Sequence, residues 1–131
     1  MILGFDPGKD KCGLAVMGRD KKVCYHQVVL SEAAISTIQS LCEQFPIELL
    51  VMGDQTTSKS WKQKLTQSLS PEIEIVRVDE RFSSLEAKER YWEMYPPTGF
   101  SRLIPQGMRT QPRPVDDIVA IVLIQRYLNK S

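Results

Sequence analysis

Met1-Ile2-Leu3-Gly4-Phe5-Asp6-Pro7-Gly8 reads as a short buried strand that stops at an acid. Ile2 to Phe5 are apolar apart from one small glycine. Asp6 is followed by Pro-Gly, a turn signal, because proline fixes φ and glycine tolerates positive φ. Cys12-Gly13-Leu14-Ala15-Val16-Met17 begins a second apolar run, so the two segments are expected to pair as neighbouring strands. An acid ending a first, central strand is poorly placed for packing and well placed for a metal ion. Its plain structural alternative is an Asx-type turn residue.

Outward from there, Gly18-Arg19-Asp20-Lys21-Lys22 is a hairpin turn and Val23 to Leu30 a third strand, so the opening is a β-meander. Ser31 is placed as the N-cap of a helix through about Phe45, with Ala34, Ile35, Ile38, Leu41, Cys42 and Phe45 on its buried face. Pro46 ends it. Glu48-Leu49-Leu50-Val51-Met52-Gly53 has the continuous apolar character of a strand buried on both faces of a parallel sheet. It too ends in an acid, Asp54, before the polar Gln55-Thr56-Thr57-Ser58. A helix carrying Trp61, Leu65 and Leu69 follows. A fifth strand, Ile73-Glu74-Ile75-Val76-Arg77-Val78, runs into Asp79-Glu80.

Ser83 and Glu86 have capping-box spacing, which predicts a helix from there to about Tyr95. Pro96 to Pro114 holds five of the eight prolines and no periodicity, and a loop of that length in a compact domain is usually functional or disordered. Val115 to Leu128 is a strongly apolar final helix with Asp116 and Asp117 in its first turn. The pattern is that of one α/β domain over residues 1–131 with a flexible loop at about 96–114.

Composition narrows the function classes. With 131 residues, 42% hydrophobic and 25% charged, the chain has the make-up of an ordinary globular domain. No transmembrane run and no basic-then-apolar leader is present, which predicts a cytoplasmic protein away from membranes. Cys12, Cys24 and Cys42 lack C-x-x-C spacing and are expected to be buried reduced thiols. The one histidine, His26, sits in an apparent strand far from any ligand cluster, which argues against zinc. A net charge of +1 does not announce a nucleic-acid binder, but basic residues cluster locally. Lys9 and Lys11 flank the first turn, Lys59, Lys62 and Lys64 surround Trp61, and Arg102, Arg109 and Arg113 sit in the late loop.

The acids are the more specific signal. Parallel sheets carry their sites at the carboxyl ends of strands, and Asp6, Asp54 and Glu80 all stand at such ends. Asp116, starting a helix laid across the sheet, can point at the same place, and the small Ala120 one turn on lets that helix come close. Asp117 lies about a third of a turn away and competes for the same role. Gathered carboxylates repel one another unless a cation joins them. Carboxylate and water donors suit Mg²⁺ or Mn²⁺, and two such ions would serve an in-line phosphoryl displacement. Taken singly, each acid has a structural account: Asp54 capping its turn, Glu80 pairing with Arg81, Asp116 and Asp117 serving the helix dipole.

The constellation resembles the RuvC/YqgF branch of the ribonuclease H-like superfamily. The opening strand, acid and turn of residues 1–8, with Gly13-Leu14-Ala15-Val16 after them, are similar to that family's start. Val78-Asp79-Glu80-Arg81-Phe82-Ser83-Ser84-Leu85-Glu86-Ala87 resembles its "DER" segment. The stretch from Asp116-Asp117-Ile118 to Leu128 is similar to its acid-bearing last helix. The resemblance implies a five-stranded mixed sheet, an antiparallel meander followed by parallel strands, with helices on both faces. It implies a metal-dependent endonuclease acting on Holliday junction DNA or precursor rRNA, with Asp6, Glu80 and Asp116 as catalytic acids. Asp54 and Asp117 are further candidates for the metal, Mg²⁺ or Mn²⁺ and two ions. Lys9, Lys11, Lys59, Lys62, Arg81, Arg109 and Arg113 are the candidates for contact with nucleic acid, and a homodimer is compatible with junction cutting.

Where YqgF relatives carry a Gly-Leu-Pro-like turn this chain has Gly53-Asp54-Gln55, and RuvC-type relatives place an acid there, so DNA and RNA both stay open as substrates. The long proline-rich loop also differs from the short basic linker expected of YqgF relatives. Two other classes are weighed against the nuclease. Asp6-Pro7-Gly8 with Lys11 is similar to the phosphate loop of actin-like ATPases, which need two such domains. A nucleic-acid-binding module that kept the fold without turnover is the other, although such a module gains nothing from carboxylates facing phosphates.

Overall fold

The computed structural model describes residues 1–54, 58–95 and 114–130. Its strands are β1 (Ile2–Asp6), β2 (Lys11–Met17), β3 (Val23–Leu30), β4 (Leu49–Gly53) and β5 (Glu74–Val78). The helices are α1 (Ala34–Gln44), α2 (Ser58–Ser68), α3 (Ser83–Met94) and α4 (Asp116–Lys130). Strands β1 to β3 form the antiparallel meander, and β4 and β5 run parallel to β1, giving the order β3-β2-β1-β4-β5. The five-stranded mixed sheet read from the resemblance is therefore present, with β1 at its centre.

Alternation along each strand divides the core in two. Leu3, Phe5, Cys12, Leu14, Val16, Leu50 and Met52 face α1 and α2. Ile2, Ala15, Met17, Leu49, Val51 and Val78 face α3 and α4. Because side chains alternate across a strand, Gly4 and Asp6 share the second face with Ile2. Helix α4 lies across β1 and β2 on that side and packs against α3. Two glycines make this possible: a β-carbon at Gly4 would run into the Ala120 carbonyl, and one at Gly13 into the Asp116 backbone. Glycine here removes bulk, so a whole helix settles onto the pleat.

Local corrections concern ends rather than elements. Ser31 does not cap α1. It opens a 3-10 turn (Ser31–Ala33), and its hydroxyl donates 2.8 Å to the Gly8 carbonyl, fastening β3 to the turn after Asp6. The capping box at Ser83 is also absent: Phe82 holds the N-cap with φ 63° and no side-chain cap bond, and Glu86 reaches Arg126 at 2.6 Å instead. Trp61 meets Phe5 edge-on at 5.2 Å between ring centroids, so it is part of the core, with Lys64 over its ring at 4.9 Å. Cys12 is buried, but Cys24 is exposed and Cys42 half-buried; all three are free thiols. The proline-rich stretch, with Arg102, Arg109 and Arg113, lies outside the described residues. Among those residues, no helix is long and apolar enough to cross a membrane.

Candidate active site

Asp6 closes β1 in the middle of the sheet, and the residue beside it on each neighbouring strand is a glycine. On β2 its partner is Gly13. On β4 the pairing of Phe5 with Met52 carries Asp6 on to Gly53. Each glycine leaves room for something specific. At Gly13 the first turn of α4 comes down, with the backbone of Asp116 in the space a β-carbon would fill. At Gly53 that space holds the carboxylate of Glu80, whose Cδ stands 2.6 Å from where a β-carbon would be. The sheet thus delivers one acid from either side toward a central aspartate.

The electrostatics follow. Burial, and then the negative charges of Asp116 and Glu80, push the Asp6 carboxyl up to about 7. The Asp116 carboxyl is also raised, by burial and by neighbouring Asp117, while the Lys11 ammonium draws it back down. Lys11, exposed at the start of β2, thus acts electrostatically on Asp116. Asp54 is exposed at the end of β4, where its carboxylate accepts the Glu80 backbone N–H at 3.4 Å. That bond orients the segment carrying Glu80.

The two adjacent aspartates of α4 have different surroundings. Asp117 is buried at 2% exposure, and its Oδ2 lies 2.7 Å from His26 Nδ1 on β3. Its other oxygen accepts the Ile118 N–H at 3.0 Å. Through its pair with His26 it fastens α4 to the edge strand β3. His26 is thus a site-supporting residue that the linear reading passed over, since 91 positions separate the pair. Its Nε2 lies 3.3 Å from the Tyr95 hydroxyl. An acid in an otherwise apolar helix and a lone histidine in a β-strand were the signals available in the sequence, and neither names its partner.

Other candidates take definite places. Arg81 is exposed and forks onto Asp79, with Nε and Nη2 within 3.3 Å of its oxygens. The pairing expected between Arg81 and Glu80 is therefore made by Asp79, and it holds the Asp79 carboxyl below the usual range. Lys9 is exposed beside the turn after β1, and Lys59 and Lys62 are exposed on α2. Arg109 and Arg113 lie outside the described residues. Arg126 of α4 donates to the Asp79 carbonyl at 2.7 Å and to Glu86, tying the last helix to the segment that presents Glu80.

Among the described residues, no three ligand side chains close into a ready-made ion cage. The donor chemistry nonetheless suits a hard divalent cation: oxygen donors only, like-charged, converging on an aspartate whose carboxyl is raised to about 7 by burial and by the other two charges.

Comparisons with known proteins bear on the family and the fold. A curated protein of Azobacteroides pseudotrichonymphae genomovar. CFP2, described as "Putative pre-16S rRNA nuclease", is 30% identical over 139 residues, spanning 97% of this chain and 94% of its own. The solved structure of Thermus thermophilus RuvC is similar in fold, with a TM-score of 0.55 at 15% identity over 93% of this chain and 88% of its own. Residues 1–130 match the family described as "RuvX: Holliday junction resolvase", and the chain belongs to that family.

Proposed function

We propose that this protein is a metal-dependent endonuclease that hydrolyses phosphodiester bonds in structured nucleic acid, branched DNA or precursor rRNA. The observation that carries the reading is the glycine-flanked Asp6, with Asp116 arriving over Gly13 and Glu80 over Gly53. Membership of a nuclease family and likeness to a protein described as an rRNA nuclease support it. Asp6, Glu80 and Asp116 would hold Mg²⁺ or Mn²⁺, with Asp54 at the rim. Such ions activate water and stabilise the leaving oxygen of a phosphodiester.

The chain's own residues supply the rest. Burial, with the charges of Asp116 and Glu80, raises the Asp6 carboxyl to about 7, where proton and cation compete closely for it. Lys11, whose charge acts on Asp116, and Lys9 in the turn after β1 are the cations to meet a phosphate entering the site. Such contacts position a backbone without reading its sequence. The Asp117–His26 bond keeps the start of α4, and so Asp116, against the sheet.

Calorimetric titration of Mn²⁺ into the metal-free protein tests the ligand assignment. Asp6→Asn, Glu80→Gln and Asp116→Asn should each weaken binding by tenfold or more, on the order of 1.4 kcal/mol. Asp117→Asn should weaken it far less. Equal affinity across all four variants would sink the assignment.

A further inference from the structure

We propose that the groove between α2 and the edge strand β5 holds the sugar–phosphate backbone of a nucleic-acid arm flanking the point of cleavage. The inference rests on the nuclease reading and extends the substrate to a surface beyond the acids. The groove, about 440 Å³, is lined by Lys59, Lys62, Gln63, Thr66 and Gln67 of α2 and by Arg77 of β5. The five helical residues fall at successive positions of one face, so they form a single stripe along the helix.

The charge on that stripe is one-sided. Helix α2 carries Lys59, Lys62 and Lys64 and no acid, in a chain with 16 acids. A helix needing only solvation gains from mixed charges one turn apart, whereas like charges there destabilise it. Among the described residues, none of Lys59, Lys62 and Arg77 forms an ion pair. Arg77 gives one hydrogen bond, from Nη1 to the buried Ser58 Oγ at 3.3 Å. Three cations with no counter-charge, interleaved with neutral amides and a hydroxyl, make a surface complementary to phosphates and sugars.

Its position relates it to the acids. Ser58 begins α2 beyond the carboxyl end of β4, so the groove opens at the same end of the sheet as Asp6 and Glu80. Val76 and Val78 pack on the α3/α4 side, which puts Arg77 on the opposite face. A backbone leaving the acids would reach the groove by crossing the edge of β5. From Glu80 back to Arg77 is roughly 10 Å at about 3.3 Å per strand residue. The stripe from Lys59 to Gln67 adds roughly 12 Å at about 1.5 Å per helical residue. Together they span about six or seven nucleotides at about 3.4 Å per phosphate.

The test is the salt dependence of binding to a four-way DNA junction and to a double-stranded RNA hairpin, measured without divalent metal. Each backbone phosphate neutralised contributes about 0.9 to the slope of log K against log[salt] on B-form DNA. Lys59→Gln with Lys62→Gln should lower the junction slope by nearly two, and adding Arg77→Gln should lower it further. Removing the same number of charges at the opposite end of the sheet, Lys21→Gln with Lys22→Gln, should leave it unchanged. The Lys59/Lys62 pair keeps the Arg77–Ser58 bond, so its result stands if the triple variant folds poorly. Shortening the arm beside the cut below about six nucleotides should abolish the difference between the unvaried chain and the pair variant. An unchanged slope in the pair variant, with the unvaried chain binding, overturns the groove alone. Failure of the unvaried chain to bind either probe, with Ca²⁺ added as well as without it, overturns the nuclease reading and the groove with it.

Discussion

At the scale of residues, Asp6 is the member whose chemistry the rest of the site sets. Its carboxyl ionises near 4 in an unfolded chain and is pushed up to about 7 in the fold. Between those values the folded protein holds a proton that the unfolded chain has released, so stability falls as pH rises from about 4 to about 7. Asp6→Asn removes that dependence. In EDTA at pH 8 the variant should be the more stable, by up to about 4 kcal/mol, and the gap should close toward pH 4. Urea unfolding at both pH values checks it, and a wild type more stable than the variant at pH 8 contradicts it. Gly53→Ala makes a different demand. Its methyl would meet only the flexible end of Glu80, so unfolding should change by less than about 1 kcal/mol. Cleavage should fall at least tenfold as the carboxylate is turned out of place. Asp6 was legible because turn chemistry is local and an acid at a strand end is conspicuous. The importance of Gly13 and Gly53 was not, since it depends on which residues the sheet register sets beside Asp6.

At the scale of elements, the site depends on how α4 is seated. Gly13→Ala would drive a methyl into the Asp116 backbone rather than into a side chain. It should destabilise the fold by about 1–3 kcal/mol, as overpacking does, and lower cleavage as well; a neutral effect on thermal unfolding would refute the close approach. His26→Ala takes the ring from a buried carboxylate that it touches at 2.7 Å. A loss of about 1–3 kcal/mol is expected for removing one partner of a buried polar pair, with hydrogen exchange quickening first at the start of α4. The strands and helices were readable from periodicity, to within a few residues at their ends. The caps were not. Ser31 and Ser83 carry the right residue types, but one hydroxyl is engaged by the Gly8 turn and the other residue follows a left-handed Phe82. Both outcomes come from tertiary contacts that outweigh a local preference.

At the scale of the whole molecule, the mixed sheet gathers acids from β1, from the segment after β5 and from the start of α4, which are far apart in the chain. A net charge of +1 gave no hint of a polyanionic partner, because the three lysines of the acid-free helix α2 are offset by acids elsewhere in the chain. The central claim is that these acids cut nucleic acid with a metal ion. It is tested most directly by incubating a four-way DNA junction and a structured precursor rRNA with the protein in Mn²⁺, in EDTA, and with Asp6→Asn. Cleavage of at least one substrate that needs the metal and is lost in the variant is the predicted result. Binding of both substrates with no cleavage of either, unaffected by Asp6→Asn, would contradict it and leave a binding module of the same fold.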